Sequence, residues 1–279
     1  MPFQFIISMI LLVSPIANSN HSVVPNLVFN FAEFVPSDRI SVRESNTELQ
    51  VTVGEKIFVF GKARGTLDKV KVGMHVLHFS QVPNNEGNWS TFTNVNWKKL
   101  KDGSIQIQSS YRPWPHVLTW TVLENGQLKM VASAPPSDFS DLGWLGLGFN
   151  YPDQMLYQVS WNSAGAGFGQ WKNQNFTPMS SPEIAIQSED PGFFQPFQTA
   201  KLEFESVTID VSTETAGLFL GLGQSHFGNS TLPFLKSDLA FLFNRPETQP
   251  AKEPQTPSAL GSTHQRVFSS PLVLWFHFQ

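Results

Sequence analysis

The 279-residue chain carries a formal net charge of −4 and no cysteine, which excludes a disulfide framework, a thiol nucleophile and a thiolate metal site. No basic patch interleaved with aromatics occurs, so nucleic acid is not an expected partner. Phe leads the aromatics at 25 residues, and with Trp, Val and Thr it tilts the composition toward strands in a chain long enough for one large all-β domain or two ordinary ones.

The chain opens MPFQFIISMILLVSPIANSN. Its apolar run over residues 5–17 is short for a bilayer span, and a small-x-small site follows at Ala17-Asn18-Ser19. This pattern predicts a secretory signal peptide over residues 1–19, although its first residues carry no Lys or Arg. The alternative is a buried first strand. On the signal reading the mature chain keeps no membrane segment and is secreted or periplasmic. Sequons at Asn20, Asn88, Asn175 and Asn229 suit a secreted glycoprotein. Residues 20–39 are apolar and Pro-punctuated without a helical period, and read as an N-terminal leader.

From residue 40 short strands follow one another: 40–43, 49–53, 56–60, and 69–79 alternating around Gly73. A polar loop at 83–88 precedes a strand at 89–97. The turn Lys101-Asp102-Gly103-Ser104 leads into an alternating strand at 105–111. Residues 117–122 and 127–132 flank Glu124-Asn125-Gly126, a strong hairpin signal. The stretch 141–173 reads as a Gly-containing strand at 142–149, a turn at 150–153 and a strand at 155–161. A small-residue loop at 163–169 then leads to Trp171-Lys172-Asn173. Further strands are expected at 183–187, 200–204, 207–211 and 218–222. Residues 232–243 are apolar with a break at 236–238. Residues 244–265 form a Pro-rich loop or linker, and 266–279 a C-terminal strand. No long helical pattern occurs after the signal, so the expected fold is an all-β sandwich with its body over 40–243.

Most catalytic constellations are missing. Asp138, Asp141, Asp153, Glu183 and Asp190 lack the context of a glycosidase carboxylate pair. His75 and His78 point to opposite faces of a strand, and His116, His226, His264 and His277 stand alone. There is no nucleophile-elbow motif, and Gly221-Leu222-Gly223 has no following helix to cradle a phosphate. No catalytic residue, metal or cofactor is assigned. Saccharide contact remains, because a sugar face stacks on an aromatic ring while a few amides fix its hydroxyls. Trp114 and Asn162 belong to that wider group. The candidate carbohydrate-binding set is Trp144, Tyr151, Trp161, Phe168, Trp171 and Asn173; the alternative is that these rings fill the core.

Leu145-Gly-Leu-Gly-Phe149, then Pro152, Val159-Ser-Trp161 and Trp171-Lys-Asn173 together carry a family resemblance. The order resembles the C-terminal small-chain domain of glycoside hydrolase family 2 β-galactosidases. Phe58-Val-Phe60 with Gly65-Thr-Leu67, and Trp120 with Glu124-Asn-Gly-Gln-Leu128, resemble the family's earlier segments. Pro191-Gly-Phe-Phe194 and Ala216-Gly-Leu-Phe-Leu220 resemble later ones, so the likeness covers about residues 40–243. Where the family has Gly-x-Gly-Pro-Tyr, this chain has Ala164-Gly-Ala-Gly-Phe168. The resemblance implies a many-stranded antiparallel supersandwich of the galactose-mutarotase type. It also implies a non-catalytic module that shapes a galactoside pocket for a separate catalytic (β/α)8 barrel, which carries the catalytic glutamates. Alternatives are a free-standing saccharide-binding protein, a mutarotase-like enzyme pairing His75 or His116 with Glu183, or a gene fragment.

Overall fold

Alternation sets the strands. In ELQVTV, VLTWTV and LKMVA every second residue is buried while its neighbours are half-buried, as a strand with one face in the core requires. A computed structural model describes residues 40–82, 89–139, 145–152, 154–163, 167–173, 193–223, 235, 237–244 and 269–279. Its strands begin with β1 (Ser41–Glu44), β2 (Glu48–Val53), β3 (Lys56–Gly61), β4 (Thr66–Val72), β5 (His75–Leu77) and β6 (Ser80–Gln81). Then come β7 (Thr91–Lys99), β8 (Ile105–Arg112), β9 (Val117–Val122), β10 (Leu128–Ala132), β11 (Gly146–Asn150), β12 (Leu156–Ser163) and β13 (Gly167–Lys172). The rest are β14 (Phe193–Pro196), β15 (Thr199–Phe204), β16 (Thr208–Thr213), β17 (Phe219–Leu222), β18 (Leu239–Leu242) and β19 (Leu272–Phe278).

These strands form three antiparallel sheets. One five-stranded sheet runs β1-β2-β3-β4-β5, a nine-stranded sheet runs β13-β12-β15-β16-β19-β10-β9-β8-β7, and a second five-stranded sheet runs β14-β17-β18-β11-β6. The chain is therefore the expected all-β, many-stranded antiparallel sandwich.

Both small sheets turn apolar faces onto the large one. Phe58 of β3 meets Phe278 of β19 edge-on, with centroids 5.9 Å apart, and Phe60 meets Trp120 of β9 at 6.1 Å. In the other small sheet Phe149 of β11 and Phe241 of β18 meet Phe276 of β19 at 5.7 and 6.0 Å. Phe79, just before β6, stacks on Phe149 at 4.8 Å and also touches Phe276 and Phe278. That ring is the seam at which both small sheets share one core. Each such pair adds about 0.5–1.5 kcal/mol beyond the area it buries. The first small sheet is also tied to the large one by hydrogen bonds. Gly65, at φ +68° in the β3–β4 turn, presents its carbonyl to Ser109 Oγ at 2.6 Å and Tyr111 Oη at 3.0 Å.

Two features depart from simple alternation. β18 is buried at every position and β11 at all but its last. A second apolar cluster of Phe194, Leu235, Ala240 and Leu242, with Phe219 beside it, covers the other face of their sheet. The C-terminal strand is no appendage, because β19 pairs with β10 on one side and β16 on the other, in the middle of the large sheet. All the described residues fall in one compact unit, Val35–Gln279. The expected signal and leader, the strand at 183–187, most of the 244–265 linker and all four sequon asparagines lie outside the described residues.

Candidate functional site

The stretch expected to touch sugar is a hairpin at one edge of the nine-stranded sheet. Trp161 of β12 pairs with Gly169 of β13, Val159 with Trp171, and Asn162 with Phe168. Residues two apart share a face, so Trp161 and Trp171 lie on the core side while Asn162 and Phe168 lie on the outer side. The small-residue segment is shorter than its composition predicts. β12 runs through Ser163 and β13 starts at Gly167, leaving residues 164–166 outside the described residues. The reason is packing: a Cβ at position 169 would overlap the Trp161 indole, so this glycine receives a cross-strand ring.

The candidate residues separate by environment. Trp171 is buried in the main core, and Trp161 is half-buried against it. Tyr151 is buried with its ring edge-on to Phe204 at 5.0 Å, and its N–H donates to Asp238 Oδ2 at 3.0 Å. Burial pushes its hydroxyl well above the ordinary phenol value. Asn173 closes the base of the hairpin, its N–H donating to Tyr157 O at 2.8 Å and its Nδ2 to Leu156 O at 3.4 Å. Trp144 lies outside the described residues. Trp114 is buried and donates from Nε1 to Ser133 O at 2.6 Å. Of the described candidates only Phe168 is a large exposed ring, 56% accessible, with exposed Asn162 across from it.

His75 and His116 are exposed, and Glu183 lies outside the described residues, as do Asp141, Asp153 and Asp190. A different His–carboxylate pair is formed by the fold. On the outer face of the large sheet, Asp210 of β16 stands across from His277 of β19 on one side and Lys201 of β15 on the other. Gln279 Nε2 donates to Asp210 Oδ2 at 3.1 Å and lies 3.0 Å from His277 Nδ1. Lys201 pairs with Glu203 at 2.9 Å. Burial raises the Asp210 carboxyl above the ordinary carboxylate value, opposed by the Lys201 ammonium and reinforced by Glu203. Burial also lowers the His277 imidazole, helped by Lys56. One row along, Lys129 lies over the Trp275 ring at 4.4 Å, and both reach Glu214, at 2.8 and 2.7 Å.

Sequence reasoning passed over this cluster. Its signal is alternation: Asp210 sits between buried Ile209 and Val211, and His277 between buried Phe276 and Phe278, which marks both as outward-facing. Which strands become neighbours is not written in that pattern.

Sandwich and hairpin together define a many-stranded antiparallel β-sandwich protein with an aromatic-bearing edge. No family model matches the chain, and no curated protein matches it. Among the described residues no group of three or more His, Cys, Asp or Glu could hold a metal ion.

Proposed function

We propose that this chain is a carbohydrate-associated module resembling the small chain of a β-galactosidase. It shapes a galactoside pocket while a separate (β/α)8 barrel supplies the hydrolytic glutamates, and it works in a secreted or periplasmic setting. One observation supports the reading: the strands that bear the motif residues belong to the antiparallel sheets of one many-stranded sandwich. Phe58 and Phe60 are on β3, and Trp120 and Leu128 on the β9–β10 hairpin. Residues 146–149 are on β11, Trp161 on β12 and Trp171 on β13, and Leu220 is on β17. Within that frame Trp161 is the ring assigned to the sugar, braced on Gly169 at the sheet edge. The test is an assay of the purified chain on chromogenic β-galactosides. The reading expects no turnover by the chain alone; measurable turnover contradicts it.

A second reading, a free-standing saccharide-binding protein, is favoured by one further observation. Phe168 and Asn162 present an exposed ring and an exposed amide side by side on the outer face of the hairpin, the pairing a sugar face and its hydroxyls use. Calorimetry with galactosides and plant or algal oligosaccharides decides it. Saturable binding weakened by Phe168→Ala supports this reading, and absence of binding at millimolar sugar ends it.

A further inference from the structure

We propose that Trp97, Glu44 and Lys62 form a separate saccharide-binding site that takes two adjacent hydroxyls of a neutral glycoside. The site lies at β7, the opposite edge of the nine-stranded sheet from the β12–β13 hairpin. None of its residues is a motif residue of the family resemblance, so it stands independently of both readings above.

The argument begins with a break in alternation. β1 and β7 are edge strands of two different sheets. On β1, Val42 and Glu44 stand across from buried Val51 and Leu49 of β2. Glu44 therefore takes a core-side position where alternation calls for an apolar residue. On β7, Trp97 stands across from buried Ile107 of β8 and shares its face with Val95. The two side chains meet, Trp97 Nε1 donating to Glu44 Oε2 at 2.9 Å. Lys62, just after β3, donates to Glu44 Oε1 at 2.7 Å and to Ser45 O at 3.1 Å. All three groups are open to solvent: Trp97 is 37% accessible, and the Glu44 and Lys62 side chains are 44% and 31% accessible.

Unspent hydrogen-bonding capacity defines the ligand. A carboxylate offers about four acceptor positions and an ammonium three donors. Among the described residues Glu44 uses one position on each oxygen, and Lys62 uses two of its donors. Each Glu44 oxygen therefore keeps an acceptor position, and Lys62 keeps one N–H. The bonds from Lys62 and Trp97 hold the Glu44 carboxyl below the ordinary carboxylate value, so it is ionised at neutral pH. Two acceptors side by side match the O–H groups on two neighbouring carbons. The remaining ammonium N–H matches a hydroxyl oxygen beside them. The Trp97 ring supplies an apolar surface on which a pyranose face rests.

Other ligand classes fit less well. An anion meets Glu44, and a cation meets Lys62. A metal ion finds no group of three His, Cys, Asp or Glu among the described residues. An apolar ligand strips water from the ion pair and returns no hydrogen bond. A protein partner needs more apolar area at the centre of its contact than one ring, and residues 43–47 around Glu44 are all polar and exposed. A glycoside brings an apolar face and adjacent hydroxyls together, which is what the three side chains offer to meet.

The experiment follows the indole N–H resonances of the isotope-labelled full chain as methyl β-galactoside or methyl β-glucoside is added. The Trp97 signal is assigned by its loss in Trp97→Phe. Calorimetry then compares the affinity of the wild type with that of Glu44→Gln, Trp97→Ala and Phe168→Ala. The expected result is a saturable shift of the Trp97 signal by at least one glycoside. Affinity should fall about tenfold or more in Glu44→Gln, which loses a charged acceptor, fall also in Trp97→Ala, and be retained in Phe168→Ala. Thermal melts check that each variant is folded. Should Trp97→Ala fail to fold, the solvent-exposed Glu44→Gln change carries the comparison. No shift of the Trp97 signal with either glycoside overturns the proposal and leaves the cluster as an ion pair that guards a sheet edge. Equal affinity in the wild type and Glu44→Gln overturns it too. Binding lost only in Phe168→Ala also overturns it and assigns the sugar to the hairpin.

Discussion

At position 169 the absence of a side chain is what lets the Trp161 indole lie across the edge strand. A valine there must push the ring off its seat or spread the hairpin, so Gly169→Val is expected to cost about 1–3 kcal/mol, the usual range for overpacking. Urea unfolding measures the loss, and unchanged stability would mean that the indole sits elsewhere. The sequence marks Trp161 as the last residue of a strand and Gly169 as the end of a small-residue loop. Only cross-strand register shows that one exists to receive the other. Asp210 is a second case of this kind. Burial holds its folded-state value above its unfolded one, so its protonated form is favoured by folding. That contribution is fully present below the unfolded carboxylate value and is lost as pH rises through the raised folded value. At neutral pH the ionised Asp210 therefore costs stability. Asp210→Asn is expected to be more stable than the wild type at pH 7 and to lose that advantage at acid pH, where the Asp210 carboxyl is protonated in both states. Urea midpoints at the two pH values check this, and a variant less stable at neutral pH contradicts it.

Among the elements, the ones legible in advance are those with one wet face. β2, β8, β9, β10 and β15 alternate residue by residue, and Asn125-Gly126 announces the β9–β10 hairpin, with Gly126 at φ +74°. β18 reads only as an apolar run, because Leu242 and Ala240 face a second cluster instead of water. β19 is the element on which packing converges. Phe276 touches Phe79, Trp120, Phe149, Phe241 and Phe278. Phe276→Ala removes the ring on which these five aromatic side chains meet, and the expected loss is about 3–5 kcal/mol, read by chemical denaturation. A loss below about 1 kcal/mol would show that the core closes over the gap, contrary to this packing.

For the molecule as a whole, the order of strands in the large sheet matters more than any one contact. Its fifth strand, β19, comes last in sequence and joins β13-β12-β15-β16 to β10-β9-β8-β7. Local pattern predicts that 266–279 is a strand but carries no information on that placing, which depends on contacts distant in sequence. A chain ending at residue 268 leaves β10 paired only with β9 and β16 only with β15, splits the large sheet, and opens the core beneath them. It is expected to show no cooperative melt, and a melt close to that of the full chain would contradict this topology. The functional reading divides similarly. The rings were visible in the sequence, whereas burial of Trp171 and Tyr151 and exposure of Phe168 follow from sheet faces that only the fold assigns.

The most direct test of the carbohydrate reading is one calorimetric titration of the purified chain with a hydrolysable β-galactoside. The account predicts a saturable binding heat that ends at saturation and is weakened by Trp161→Ala. A sustained heat of hydrolysis from the chain alone, or no saturable heat at millimolar ligand, would contradict it.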